Sequence, residues 1–391
     1  MRQEEGRLRL PRIAHLVPAL VKGGGERAAV DLANWQFAQG WQVAIIAGRF
    51  ADEALLRSQL DPGIDVRYIS RRAGRIGIYP AGLFWLLKRR RWLSGFDVIH
   101  GHLSFSAAML TALFLGRRLA KLQRPALIET YHAVGMPIPA YARAAHRWMA
   151  KLRDGFVLMA EDGHWRDFQL GHTGLVEIIP NGLAALPALP SSDASVMAFA
   201  EMAHLPAGNR LVVGNIGRLV AERRPELLAK TLCCIGRSMD RSIHFLVVGD
   251  GPELGAMLRL FAEADLTNQS HLPGLALNPR IPLSLMDLYI SLNVGPVTGL
   301  AGLEAVHCGV PVIAIQLDEQ YASGAADWIW SDQSAEKVAA EALRLLRDPN
   351  ARRELADRQK QHARSHFSVE AMGRAYERLY TDVLAARNGP D

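Results

Sequence analysis

Two arginines and one glutamate stand where an anionic ligand could be held. Arg218 ends the apolar run VVGNIGR, and Arg223 and Arg224 follow just ahead of a helical pattern that begins near Pro225. Guanidinium groups at the start of a helix can grip a diphosphate in bidentate fashion. Surface arginines are usually just solvated charge, so the strand-end position of Arg218 points to function more firmly than the other two positions do. Glu304 lies in GLAGLEAVHCGVPVIA, residues 299–314, where a loop dense in glycine and alanine restarts as a helix before a second apolar strand.

Three histidines, His100, His102 and His132, fall at the ends of predicted strands. Three imidazoles can hold a metal, but His100 and His102 alternate along one strand and are expected on its opposite faces. Structural or substrate hydrogen bonding is the expected role. The chain has no D-x-D, the acidic pair that would hold a divalent ion on a nucleotide diphosphate. The site is therefore expected to work without metal and without any cofactor. Gly23, Gly24 and Gly25 stand between a strand and a helix, where glycine allows a ligand to approach the backbone and exposes the N–H groups of the helix start. VKGGGERA is neither G-x-G-x-x-G nor a P-loop, and GDGPELG, residues 249–255, has Leu254 where a third glycine should fall. A dinucleotide dehydrogenase fails on these fingerprints.

The elements that must position these residues are short continuous Val/Ile/Leu runs separated by helical patterns. Strands are expected at 12–18, 42–48, 96–102, 126–132, 154–160 and 176–182, with a helix over 25–40. After a proline-rich break at 183–210, a second series runs through 210–217, 243–251, 287–293 and 310–315, and the chain closes with helices over 334–366 and 368–387. Such strands imply parallel sheets covered on both faces. Ligands gather beyond the carboxyl ends of strands in such sheets, which selects the loops 18–26, 101–104, 131–138, 217–224, 249–253 and 293–303. The fold class expected is α/β, with two doubly wound domains in tandem that would face a central cleft.

A length of 391 residues independently favours two domains. The net charge of +6 rests on 45 basic residues of which only seven are lysine, so no arginine is special for being arginine. The three cysteines have neither zinc-ligand nor disulfide spacing, which with the apolar-poor start MRQEEGRLRLPR leads to the expectation of a reduced, cytoplasmic protein. The longest apolar run, near 107–116, is too short to span a bilayer. Residues 67–92 carry eight positive charges and no acid, interleaved with Ile76, Ile78, Tyr79, Phe84, Trp85 and Trp92. That mixture suits the headgroup region of an anionic membrane, and it equally describes a helix with a solvated basic face. No nucleic-acid module accompanies the charge, and none is expected as a partner.

Taken together, GGGERAAVDLA (23–33), DVIHGH (97–102), ETYH (129–132), IIPNGL (178–183), IGRLVAERRPELL (216–228), FLVVGDGPEL (245–254) and GLAGLEAVHCGVPVIA (299–314) make the chain resemble glycosyltransferase family 4 over nearly its whole length. The resemblance implies retaining sugar transfer on the GT-B fold, whose two Rossmann-like domains here would be 1–184 on the acceptor side and 210–367 on the nucleotide-sugar side. Residues 185–209 would be the linker, and helix 368–387 would cross back to the first domain. It implies that Arg218 and Arg223 bind the donor diphosphate, Arg223 standing where lysine is usual. Glu304 would bind the ribose, and Gly217, Gly251, Thr298, Gly299, Leu300 and Ala301 would line the donor. His132 would face the transferred sugar, and Gly23, Gly24, Gly25 and His102 would line the acceptor side.

One family position is changed. Pro296 stands where an acid usually bonds the donor sugar, and proline offers neither a side-chain acceptor nor an N–H. A charged hydrogen bond of that kind is worth roughly 1.5–3 kcal/mol. Three readings follow: a rebuilt loop that uses Thr298 and the N–H groups of 298–301, an unusual donor, or loss of turnover. The function expected is transfer of a sugar from a nucleotide-sugar donor to a lipid-linked saccharide of cell-surface polysaccharide assembly, at the inner face of the membrane. The alternative is a catalytically silent partner subunit that binds nucleotide or glycan.

Overall fold

The computed structural model describes residues 10–388 apart from 22, 50–56, 71–76, 120–124, 133–139, 161–173, 185–186, 209, 240–241, 294–298, 317–328 and 331–333. The chain forms two compact units, Met1–Gly182 with Val369–Asp391, and Leu183–Ser368.

The first unit holds seven strands: β1 (Arg12–Ala19), β2 (Gln42–Arg49), β3 (Asp65–Ser70), β4 (Val98–His102), β5 (Ala126–Tyr131), β6 (Gly155–Leu158) and β7 (Leu175–Ile178). Their order is β3-β2-β1-β4-β5-β6-β7, and each described pair is parallel. The central strands are buried along nearly their whole length, as strands covered on both faces must be. Because the winding reverses between β1 and β4, the loops after these two strands diverge and leave a crevice at their carboxyl ends.

The helix Gly24–Ala38 follows β1 and buries Ala28, Ala29, Val30, Leu32, Ala33 and Gln36. The last helix, Val369–Asn388, buries Met372, Tyr376, Leu379, Tyr380 and Val383, a stripe at helical spacing. It lies close on the helix Gly24–Ala38 at Gly373, where a side chain would run into the Trp35 indole.

The second unit holds β8 (Leu211–Ile216), β9 (Ile243–Val248), β10 (Ser270–Gly274), β11 (Leu288–Asn293), β12 (Val312–Gln316) and β13 (Ile329–Trp330), in the order β10-β9-β8-β11-β12-β13. The winding again reverses, between β8 and β11. In the segment 185–209 the helix Ala194–Met202 has an Asp193 cap, and Val196, Ala203 and Leu205 are buried.

Both units pin the reversal in the same way. Asp97, just before β4, accepts from the N–H of Arg12 at 2.9 Å, and Asp287, just before β11, accepts from the N–H of Val212 at 2.8 Å. Each carboxylate satisfies a donor in the opening residues of a central strand, Arg12 of β1 and Val212 of β8, and ties it to the strand beyond the reversal.

Candidate functional site

The functional residues fall into two clusters, one at the sheet reversal of each unit. In the first unit, β1 runs out at Ala19 and the chain re-enters a helix through Gly23–Gly25. Gly23 is extended at the helix N-cap and its carbonyl accepts from the N–H of Arg27 at 2.9 Å. Gly24 is exposed and Gly25 is buried. A methyl built on Gly25 would lie 2.9 Å from Leu103 Cδ2 and 3.1 Å from His132 Cγ, so this glycine lets the helix start close against His132. The Glu26 carboxylate folds back over Gly23, and burial raises its pKa against the pull of its own backbone N–H.

The histidines do not behave as the alternation argument expected. His100 and His102 are two residues apart on β4, and positions i and i+2 share one face of a strand. Their rings stand 4.0 Å apart, centroid to centroid, on the same buried side, with His15 of β1 at 5.4 Å from His100 and 5.3 Å from His102. His102 Nδ1 lies 3.1 Å from Nε2 of His132, which follows directly on β5. His100 bonds Tyr380 Oη through Nδ1 and Thr130 Oγ1 through Nε2, each at 2.7 Å. Burial is the main cause that keeps these imidazoles neutral: the pKa falls to about 4 in His15 and in His132, and well below the ordinary value in His100 and His102. Directly after His102, Leu103 takes a left-handed backbone, φ 70°, that turns the strand straight into the helix Leu103–Leu119. A leucine there stores about 1–2 kcal/mol of strain, held beside the site by the packing around it.

Alternation also sorts ETYH. Thr130 and His132 face the histidines, whereas Glu129 points to the other side and pairs with the buried Arg153 at 2.8 Å. Glu129 is structural.

In the second unit, Gly217 and Arg218 leave β8 and a short turn, Ala221–Arg223, leads to the helix Pro225–Ser238. Arg224 takes a left-handed backbone, φ 47°, at the N-cap of that helix. This twist sends the two neighbouring arginines apart. Arg223 Nη1 lies 3.9 Å from a methyl built on Gly299, while Arg224 lines a groove with Glu226, Lys230, Glu253 and Glu336. Although Arg223 keeps substantial solvent exposure, desolvation first and the Arg218 charge second hold its pKa below the ordinary value.

Gly299 caps the helix Leu300–His307, which carries Leu300, Ala301 and Glu304. The first N–H groups of such a helix have no intrahelical acceptor. Glu304 is half-buried one turn in, and its charge acts on the buried Tyr289 phenol. Burial is the largest cause of the raised Tyr289 pKa; a hydrogen bond from the Ile216 N–H lowers it, Glu304 raises it and Arg223 lowers it. Tyr289 donates to the Ile216 carbonyl at 3.0 Å, and Asn215 donates to the Ile290 carbonyl at 2.7 Å. The two side chains therefore tie β8 to β11 where the strands part. Gly251 is explained by packing, since the Leu219 carbonyl occupies the place of a Cβ, and the N–H of Leu219 donates to the Asp250 carbonyl at 2.9 Å. Gly217 has space beside its Cα, although its N–H donates to the Val248 carbonyl at 3.0 Å and its carbonyl packs against Gly249.

Gly25, His102 and His132 thus meet in the first unit, and Arg218, Arg223, Gly299 and Glu304 meet in the second. Thr298 and Pro296 lie outside the described residues. Sequence reasoning missed His15, Gln36, Glu26, Tyr289, Tyr376 and Tyr380. Only Glu26 carried a local signal, as the acid inside GGGER.

Residues 22–184 match Glycosyltransferase Family 4, and residues 210–348 match Glycosyl transferases group 1. The chain is 30% identical over 142 residues to the N-acetyl-alpha-D-glucosaminyl L-malate synthase of Bacillus anthracis, a match covering 36% of this chain and 37% of that relative. It is 28% identical over 268 residues to the 2-deoxystreptamine glucosyltransferase of Streptomyces kanamyceticus, covering 63% of this chain and 67% of that one. The crystal structure of Anabaena HepE in complex with UDP and glucose superposes with a TM-score of 0.73 at 16% identity, over 95% of this chain and 99% of that one.

Proposed function

From the premise that this chain belongs to glycosyltransferase family 4, with the GT-B fold, and is a glycosyltransferase that acts on sugar nucleotides, we propose that it is a retaining, metal-independent transferase whose donor is a UDP-sugar. The observation that carries the reading is the meeting of Arg218, Arg223, the Gly299 helix start and Glu304 at the reversal of the second sheet. Two guanidinium groups and a helix N-terminus suit a diphosphate, and a carboxylate one turn along the helix suits the ribose hydroxyls. As the sugar leaves, negative charge grows on the diphosphate, and Arg218 and Arg223 are placed in advance to stabilise it. His132 orients the sugar. The UDP bound in the HepE structure supports uridine as the base to test first.

The acceptor in this proposal is a lipid-linked saccharide met at an anionic membrane surface in polysaccharide assembly. Its support lies in the helix Ile78–Lys88, where Tyr79, Leu83, Phe84 and Leu87 are 41%, 46%, 69% and 67% exposed, and Lys88, Arg89, Arg90 and Arg91 are exposed beside them. Exposed apolar side chains next to a cationic cluster fit a headgroup layer. Of the rest of the basic stretch, Arg67 is engaged internally: it lies over the Trp92 ring at 4.0 Å and pairs with Asp65, and Trp92 packs edge-on against Trp85. Arg71, Arg72, Arg75 and Ile76 lie outside the described residues. Among the described residues no helix is long and apolar enough to cross a membrane.

Thermal unfolding with UDP, GDP and their glucose and N-acetylglucosamine conjugates, on wild type and Glu304→Ala, tests the donor half. A ligand at 100 times its Kd adds about 2.7 kcal/mol. Stabilisation of the wild type alone supports the reading and names the base; no stabilisation by any nucleotide overturns it and favours a silent subunit.

A further inference from the structure

His132 is the last member of a string of side chains that begins in the core, and each link lies within hydrogen-bond distance. Gln36 Oε1 lies 2.7 Å from Nε2 of His15. His15 Nδ1 lies 3.1 Å from Nε2 of His102, and His102 Nδ1 lies 3.1 Å from Nε2 of His132. His132 Nδ1 is buried and has no hydrogen-bond partner among the described residues.

A neutral imidazole has one N–H and one lone pair, so each ring passes on the direction it receives. The direction is set at Gln36. Its amide nitrogen is turned to Tyr380 Oη, at 3.5 Å, which leaves the amide oxygen for His15. That oxygen can only accept, so His15 carries its proton on Nε2 and offers a lone pair at Nδ1. His102 must then donate from Nε2 and accept at Nδ1, and His132 must donate from Nε2. The free atom of His132 is a bare lone pair. We propose that Gln36, acting through His15 and His102, holds His132 in the Nε2–H form, so that its unpartnered Nδ1 accepts a hydrogen bond from a hydroxyl of the bound sugar. Gln36, His15 and His102 are positioning residues in this scheme. That Nδ1 meets a sugar rests on the function proposed above; the tautomer itself does not.

Two further observations fit. The string transmits direction only if every ring is neutral, and burial keeps all of them so. His15, His100 and His102 have ligand atoms within 4.8 Å of one another, as a metal would need. However, His100 spends both nitrogens on Tyr380 and Thr130, and His15 and His102 spend theirs on the string. An ion would break bonds that the buried groups already make.

The test is a long-range ¹H–¹⁵N correlation spectrum of ¹⁵N-histidine-labelled protein, free of ligand, with the His132 signals assigned through His132→Gln. The wild type is expected to show His132 protonated at Nε2 and bare at Nδ1. Gln36→Leu removes the acceptor that sets the direction and is expected to give His132 a mixture of tautomers. It is also expected to lower transfer, on the order of the 10- to 100-fold lost when the hydrogen-bond partner that orients a metal-bound histidine is removed. A wild-type His132 protonated at Nδ1 overturns the proposal without recourse to any variant, and so does a Gln36→Leu spectrum with His132 unchanged. Because the spectrum needs no substrate, the expected tautomer in a protein that binds no UDP-sugar would sink the function and leave the string standing.

Discussion

Acid should destabilise the first unit through His15, and the size of the effect follows from its burial. The side chain is fully inaccessible, and desolvation lowers its pKa from 6.5 to about 4, only partly offset by the bond to Gln36. Its folded pKa is depressed, so between these two values the unfolded chain holds more protons than the folded one. Stability therefore rises with pH across that window: the contribution is complete above pH 6.5 and is lost progressively as pH falls towards 4. At pH 5 the linkage relation gives a loss of about 2 kcal/mol from this one group, relative to neutral pH. His132 adds in the same direction, discounted for its partial contact with solvent. The perturbation is His15→Asn, which cannot titrate, and the assay is urea unfolding at pH 7.5 and 5.0 followed by tryptophan fluorescence. Six of the eight tryptophans belong to the first unit, so the signal reports mainly on it. The variant will be less stable at both pH values, since it breaks two hydrogen bonds. What matters is the pH-dependent part, which should be smaller than in the wild type by about 2 kcal/mol. Equal pH dependence in the two proteins would mean that His15 titrates normally in the folded chain, and would refute the account of the buried histidines.

Other outcomes follow from single contacts. Arg223→Met should weaken UDP-sugar binding roughly 10- to 150-fold, the worth of one charged hydrogen bond, whereas Arg224→Met should change it little; calorimetric titration of both separates them. Glu129→Ala leaves the Arg153 guanidinium buried and unpaired and should cost about 3–5 kcal/mol in a denaturant melt, although Glu129 lies beside the candidate site. Gly251→Ala drives a methyl into the Leu219 backbone and should cost more than about 1 kcal/mol by the same measurement. Replacing Arg89, Arg90 and Arg91 by glutamate should abolish sedimentation with vesicles containing phosphatidylserine, and unchanged sedimentation would remove the membrane surface from the proposal.

The alternation of apolar runs and helical patterns, the family and the two doubly wound sheets were legible along the chain. Each depends on residues near one another in sequence: strands buried on both faces need continuous apolar runs, and a ligand-holding loop needs glycine beside a helix start. Pro296 was likewise a plain departure that any linear reading would find. The face shared by His100 and His102 was also available in principle, because a period of two is a local property, and the error lay in applying it.

Other features are not written locally. Gln36, His15, His102 and His132 come from four segments, and Tyr376 and Tyr380 arrive from the far end of the chain to close the same cluster. Which of Arg223 and Arg224 reaches Gly299 was decided by one left-handed residue at a helix cap. By itself the sequence determined which segments become strands and helices and which loops carry charge. Only the tertiary structure decided which buried polar atoms meet, because a hydrogen bond between distant segments depends on strand order and register, and neither is encoded in any single window of residues.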